Sequence, residues 1–273
     1  VREETPNGEG GVTPGDGDAG ADGALASDAS TADVVVPGCT PNKDGVIVRE
    51  EVPIAAGLHA KFRVAKDEDI STAGTPAAGG KRVWDFTGAL ASDVNVLVET
   101  LPLTGKWYAG KFPGASYATK LQEGSNLLGV FETSPGALLL RGVVSPDDDL
   151  YKTELTNTPA VQALKFPVQL GAEWTTTTDV SGVAQGVTLF GTYREVYESK
   201  VDAAGQLKTP LGTFDVLRVR TKLVRTVGIL APVTIRSFAF VTECYGTIAT
   251  VTSAQGEANE EFTRAAEMRR IAP

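Results

Sequence analysis

Past about residue 45, the apolar positions of this chain recur with a period of two. Leu217, Val219, Thr221 and Leu223 alternate with Arg218, Arg220 and Lys222, so one side of an extended segment meets a core and the other meets water. Tyr193, Tyr197 and Val201 share a parity in the same way, and Asp202-Ala203-Ala204-Gly205 then reads as a turn. Residues 234–242 (TIRSFAFVT) and 247–253 (TIATVTS) predict two more strands, joined through Cys244-Tyr245-Gly246. Residues 262–271 predict the closing strand. The composition of EEFTRAAEMRRI also favours a helix, but its place after the Gln255-Gly256 turn favours a final hairpin.

The first half is less regular. Short strands are expected at 46–52 and 60–64, followed by a Gly/Pro/Ala/Thr-rich loop at 71–80, then strands at 82–86, 95–100, 118–121, 127–132 and 138–144. Residues 159–165 are read as one helical turn, and no long amphipathic helix is found. Between the strands, Pro210-Leu211-Gly212 sets a tight turn that aims Phe214 into the next strand, and Pro167 with Gly171 punctuates another. Strands spaced about ten residues apart with turn chemistry between them predict an all-β fold, either an antiparallel sandwich or an open, curved barrel-like sheet.

The opening segment is different in kind. Residues 1–30 contain one Leu and no aromatic residue among many Gly, Asp and Ala, too little apolar surface to offset the entropy of ordering. The expected division is an acidic low-complexity linker or arm over 1–44 and a single β domain over 45–273. The charge supports it: of 34 acidic and 25 basic residues (net −9), residues 1–44 hold nine acids against Arg2 and Lys43, leaving 25 acids and 23 bases, net −2, for the rest. A nearly neutral folded part does not suit electrostatic nucleic-acid binding. No run of about 18 apolar residues is present to span a membrane. The chain opens with Val, which suggests that a processed export signal or an artificial boundary lies upstream.

Candidate chemistry is sparse. Cys39 and Cys244 lie 205 positions apart, which excludes a CxxC redox or zinc motif. Either they form a disulfide tying the start of the domain to a late strand, as suits an oxidising compartment, or they are two unrelated buried thiols; the bridge is the preferred reading, since little else would anchor Cys39. A lipoprotein acylation site at Cys39 does not fit, because its apolar run is only Val34 to Val36. In the tail, Asp16, Asp18 and Asp22 are spaced as calcium ligands are, but the fifth-position ligand and the Glu at the twelfth are missing, so a solvated linker is preferred. Asp147-Asp148-Asp149 is read as an exposed turn. The single histidine, His59, excludes a multi-imidazole metal site, and no G-x-S-x-G accompanies it. Gly105, Gly110 and Lys111 match phosphate-loop spacing, but Phe112 and Pro113 stand where a hydroxyl and a helix start are needed. Trp84, Trp107 and Trp174, with Phe86, are large enough to dominate a core or to line a ligand cavity.

Four segments in order carry a resemblance: Val83-Trp84-Asp85-Phe86-Thr87, residues 112–118 (FPGASYA), residues 166–174 (FPVQLGAEW) and residues 205–221 (GQLKTPLGTFDVLRVRT). Together they resemble a group of uncharacterised, exported, β-rich proteins of Gram-negative bacteria over about residues 80–225. The resemblance implies an exported location, at the cell surface or in the periplasm, and an all-β fold. It brings no catalytic residue with it.

Three functional classes follow. The first is a non-enzymatic exported β-domain acting by binding or by assembly with other protein subunits, with exposed strand edges available for pairing and the acidic tail as tether or arm. The second is a carrier of an apolar ligand in a β-cavity lined by Trp84, Trp107 and Trp174. The third is a carbohydrate-active hydrolase using two carboxylates, for which no pair stands out. No cofactor is implied.

Overall fold

The computed structural model describes residues 38–188 and 192–273. The tail through residue 37, with the calcium-like aspartates and Val34 to Val36, lies outside the described residues. The chain is all-β. Twelve strands form one antiparallel path: β1 (His59–Asp69), β2 (Val94–Glu99), β3 (Tyr117–Lys120), β4 (Leu128–Ser134), β5 (Ala137–Val144), β6 (Glu154–Lys165), β7 (Glu173–Ala184), β8 (Tyr193–Lys208), β9 (Thr213–Thr226), β10 (Val233–Thr242), β11 (Gly246–Ser253) and β12 (Arg264–Ile271). Each strand from β3 onward pairs with its successor in the chain. β12 then pairs with β1 and β1 with β2. Between β2 and β3 the only pairing is one bridge, in which Leu101 and Ala118 exchange N–H···O bonds of 2.7 and 3.0 Å. The result is an up-and-down meander rolled into a nearly closed barrel, the curved-sheet alternative of the two expected.

Register fixes which side chains face inward. Val219, Ala239, Thr250, Arg269 and Val64 sit directly opposite one another on successive strands, β9, β10, β11, β12 and β1. They share the inner face. Arg218, Phe240, Ala249, Arg270 and Arg63 form the parallel row on the outer face. This outer face is only partly exposed to water. Residues 70–93 cross it, with Arg82–Asp85 pairing in parallel with Gly205–Lys208 of β8. Trp84 and Phe86 pack there edge-on against Phe240, with Leu207, Phe238, Phe262 and Met268 around them. Residues 101–115 cover the outside of β3–β5 in the same manner, burying Tyr108 and Phe112 against Val130 and Val144.

One end of the barrel is closed by a strap, residues 39–54. The Cys39–Cys244 disulfide fastens its beginning, with Cα atoms 5.6 Å apart. The Cys244 N–H donates to the Glu51 carbonyl at 2.7 Å, and Val46–Ile47 pairs with Val168–Gln169. Ile47 and Val52 then join Trp174, Val201, Leu217, Val219 and Val241 in the core at that end. Burying such side chains contributes on the order of 1.5–3 kcal/mol each, enough to seat the strap firmly.

Several expectations are corrected. Residues 46–52 form only a two-residue strand, followed by a 3-10 turn at Arg49–Glu51, because Glu51 caps it by accepting the Val48 N–H at 2.9 Å. Residues 60–64 are part of an eleven-residue strand. Residues 159–165 are not helical but continue β6, with Val161 to Lys165 paired to Leu140 to Ala137 of β5. Asp202–Gly205 is a β-bulge within β8 rather than a turn, the register shifting between Val201 and Ala203. The hairpin turn follows at Thr209–Gly212, closed by the Gly212 N–H to the Thr209 carbonyl at 3.2 Å. Gly212 closes it without a positive φ. Arg218, expected in water, is 4% exposed. It sits beneath Trp84 and Phe238, bonded through both terminal nitrogens to Asp202, Glu261 and the Thr72 carbonyl.

Candidate functional site

An eight-stranded barrel is just wide enough for side chains to fill, and a wider one leaves room. Here the spare room is a cavity of about 350 Å³ in the strapped half of the lumen. Its walls are Phe62 of β1, Val98 of β2, Tyr117 of β3, Phe131 of β4, Leu138 of β5 and Leu164 of β6. Val52, Pro53 and Ile54 of the strap form its floor, with Tyr245 of the bridged turn beside them. β1 and β2 lie at one end of the strand path and β3 to β6 at the other, and the closing of the sheet brings the two groups together.

The polar lining residues of the cavity include Thr100, Tyr117, Thr119, Thr247, Thr250 and Arg269. Arg269 projects inward from β12 because Met268 and Arg270, its neighbours in the chain, take the outer face. Its Nε donates to Glu267 Oε1 at 2.8 Å and its Nη1 reaches the Lys120 carbonyl at 3.4 Å. Nη2 is buried without a hydrogen-bond partner, as is Thr119 Oγ1 of β3. Glu267 also accepts the Glu123 N–H at 2.8 Å, and Lys120 Nζ donates to Glu123 at 2.9 Å. That hydrogen bond, with help from the Lys120 and Arg269 charges, holds the Glu123 carboxyl below its ordinary value against the opposing effect of burial. Burial pushes the Tyr117 hydroxyl far above its ordinary range, so it is a neutral wall residue.

The other half of the lumen carries buried polar groups. Glu195, 3% exposed, accepts from Tyr197 at 2.7 Å and from Arg225 at 2.6 Å. Thr176, Thr178 and Ser199 are buried beside it on the inner faces of β7 and β8. At that end, three loops between neighbouring strand pairs expose large apolar side chains. Leu150 and Tyr151 lie between β5 and β6, Val187 between β7 and β8, and Ile229 and Leu230 between β9 and β10.

Cys39 and Cys244 are joined, as the preferred reading of the sequence has it. The three tryptophans are not brought together. Trp84 is on the outer face, its indole N–H bonded to the Thr72 carbonyl at 2.8 Å, and edges a cleft of about 320 Å³ that also contains Asp69, Met268 and Arg270. Trp174 faces inward among the strap core, bonded to the Gln162 carbonyl at 2.8 Å. Trp107 lies on the outside of β3–β5, bonded to the Ser145 carbonyl at 3.2 Å. His59 is exposed at the start of β1. The phosphate-loop-like segment is part of the cover over β3–β5, with a 3-10 turn at Ala109–Lys111. Asp147 to Asp149 do lie in an exposed turn, where Asp148 pairs with Lys152 at 2.6 Å. Among the described residues no group of His, Cys, Asp and Glu is placed to hold a metal ion, and no helix is long and apolar enough to cross a membrane.

Arg269 and Thr119 are the residues that sequence reading missed. A signal exists in the Met268-Arg269-Arg270 order: on a strand buried on both faces, consecutive arginines cannot both reach water.

Comparison with known proteins adds little. No family model matches the chain, and no curated protein matches it. A solved structure described as a "putative lipoprotein" from Parabacteroides distasonis is similar over 80% of this chain and 95% of its own, at 9% identity and a TM-score of 0.36.

Proposed function

We propose that this is an exported, non-catalytic binding domain that carries an apolar small molecule in the lumen of its barrel. The observation that carries this reading is the strap-floored cavity, whose volume falls at the lower end of the range for small-molecule sites and whose walls are mostly apolar. The single disulfide supports export, since such bridges persist in oxidising compartments, and the resemblance in segment order points the same way. Binding rather than catalysis is favoured because the buried ionisable groups, Glu195 with Arg225 and Arg218 with Asp202 and Glu261, are engaged with one another.

Titration with an uncharged naphthylamine fluorophore tests the reading. Enhancement on addition to the protein, abolished by filling the cavity through Leu138→Trp in a folded variant, is the expected result. Equal enhancement in the filled variant, or no enhancement together with an adduct-free mass after gentle purification, would sink it.

A second reading, assembly with another protein subunit, draws on the apolar loop tips at the opposite end. Ile229 is fully exposed and Leu150 82% exposed, and such patches commonly mark interaction surfaces. Light scattering that gives a strict monomer at high concentration would count against self-assembly.

A further inference from the structure

We infer that the end of the barrel opposite the strap docks on the surface of an electrically neutral lipid bilayer, entering it with the tips of the loops that follow β5, β7 and β9. The inference stands apart from the carrier reading and gives those tips a different occupant from a protein subunit. Leu150, Tyr151, Val187, Ile229 and Leu230 are each at least 63% exposed. They form one group. The Gly186 N–H donates to the Lys152 carbonyl at 2.9 Å and the Gln185 N–H to Thr153 Oγ1 at 3.1 Å, which binds the second tip to the first. Arg194 of β8 stands level with Asp179 of β7 and Thr226 of β9, so the second and third tips rise from the same line.

Area favours lipid over a protein partner. Five side chains of this kind offer roughly 300–500 Å² of apolar surface, divided among three tips, whereas a stable protein interface buries about 800 Å² on each partner. A fluid layer asks for no flat contiguous face, since each tip enters it separately and the apolar side of a docked element sinks only about 5–10 Å. The backbone of the tips meets the condition that such a layer sets. Val183 and Ala184 pair with Thr188 and Val187, the Leu230 N–H donates to the Val227 carbonyl at 3.0 Å, and the Tyr151 N–H donates to Asp149 Oδ1 at 2.9 Å. Donors that already have partners lose little on leaving water. Tyr151, with an apolar ring and a hydroxyl, suits the headgroup level.

Charge selects the lipid. Residues 185–188 and 227–232 carry none. Asp147, Asp148 and Asp149 are matched only by Lys152, which pairs with Asp148 at 2.6 Å. The loop between β11 and β12 brings Glu257, Glu260 and Glu261 to the same end, the last two paired with Arg220 and Arg218. Around the tips the excess is therefore negative, so anionic headgroups are not attracted and insertion of the apolar side chains drives docking on a zwitterionic surface.

Flotation of the full protein with phosphatidylcholine vesicles tests this. The protein is expected to float with them equally at low and high salt, and less where phosphatidylglycerol replaces part of the phosphatidylcholine. Ile229→Asp and Leu150→Asp, at exposed positions where folding is not at stake, should each lower the partition at least about ten-fold. Leu170→Asp, beside the strap and 59% exposed, should leave it unchanged. No flotation, flotation that survives both tip substitutions, or flotation that requires the anionic lipid overturns the inference. So does a concentration-dependent dimer that Ile229→Asp abolishes in a protein that ignores vesicles, an outcome that gives the tips to a second copy of the chain.

Discussion

Removing the Cys39–Cys244 bridge, as Cys39→Ser/Cys244→Ser or by reduction, tests the architecture at the point where most of it is fastened. The bridge spans 205 positions, enclosing every barrel strand from β1 to β10. In the chain-entropy account, a loop of that length stabilises the fold by about 5 kcal/mol at room temperature, somewhat more than a 100-residue loop. Strain and residual structure in the unfolded chain lower such figures, so a loss of about 3–5 kcal/mol is expected. For a domain of this size that corresponds to a melting temperature lower by roughly 6–20 °C. The fold itself should persist, because Ile47 and Val52 stay buried and the Val46–Ile47 ribbon and the Cys244 N–H to Glu51 bond do not depend on sulfur. Guanidinium unfolding of the oxidised protein, the reduced protein and the double variant gives the measurement, with the two sulfur-free states expected to agree. A loss below about 1 kcal/mol would refute the reasoning, since it would mean that the strap restricts the unfolded chain very little. Fluorophore affinity should fall in parallel, because the cavity floor is then fastened only by packing and a few backbone hydrogen bonds.

Two further outcomes follow from particular contacts. A Cβ on Gly205 would run into the Arg82 carbonyl, so Gly205→Ala should destabilise by about 1–3 kcal/mol and expose Trp84 to fluorescence quenchers, whereas Gly136→Ala, with open space around its Cβ, should be silent in the same urea titration. Burial alone would raise the pKa of Glu261, but hydrogen bonds from Arg218 and Thr72 outweigh it and hold the carboxyl below its ordinary value of 4.5. Its stabilising contribution is thus complete above pH 4.5 and lost as pH falls through the lower folded value. Glu261→Gln should be less stable than the parent at pH 7, with the gap closing at acid pH; an unchanged gap would refute that assignment.

Strand periodicity was legible where one face is apolar and the other polar. The alternation around Leu217 to Leu223 located β9 and its inward side chains correctly. It misplaced Arg218, because the outer face there is covered by residues 70–93, and no local pattern announces a cover that arrives from more than a hundred residues away. The Asp202–Gly205 segment had turn composition yet stayed in β8, since the bulge absorbs the extra residue while ladders on both sides hold. Residues 159–165 failed for the opposite reason: Pro159 weakens the strand pattern, and pairing to β5 overrides it. The cavity was out of reach altogether. Phe62, Tyr117, Phe131 and Leu164 are unremarkable in their own segments, and only the order in which twelve strands pair sets them around one space.

The single Leu101–Ala118 bridge makes the barrel a tube slit along one line. Every other neighbouring pair is joined by a ladder, while this junction rests on two hydrogen bonds, each of which contributes only about 1 kcal/mol net. A slit tube changes its girth by parting along one line. The elastic compliance of the molecule is therefore concentrated beside Val98 and Tyr117, two of the cavity walls, and a widening of the lumen would begin there at little cost to the rest of the sheet.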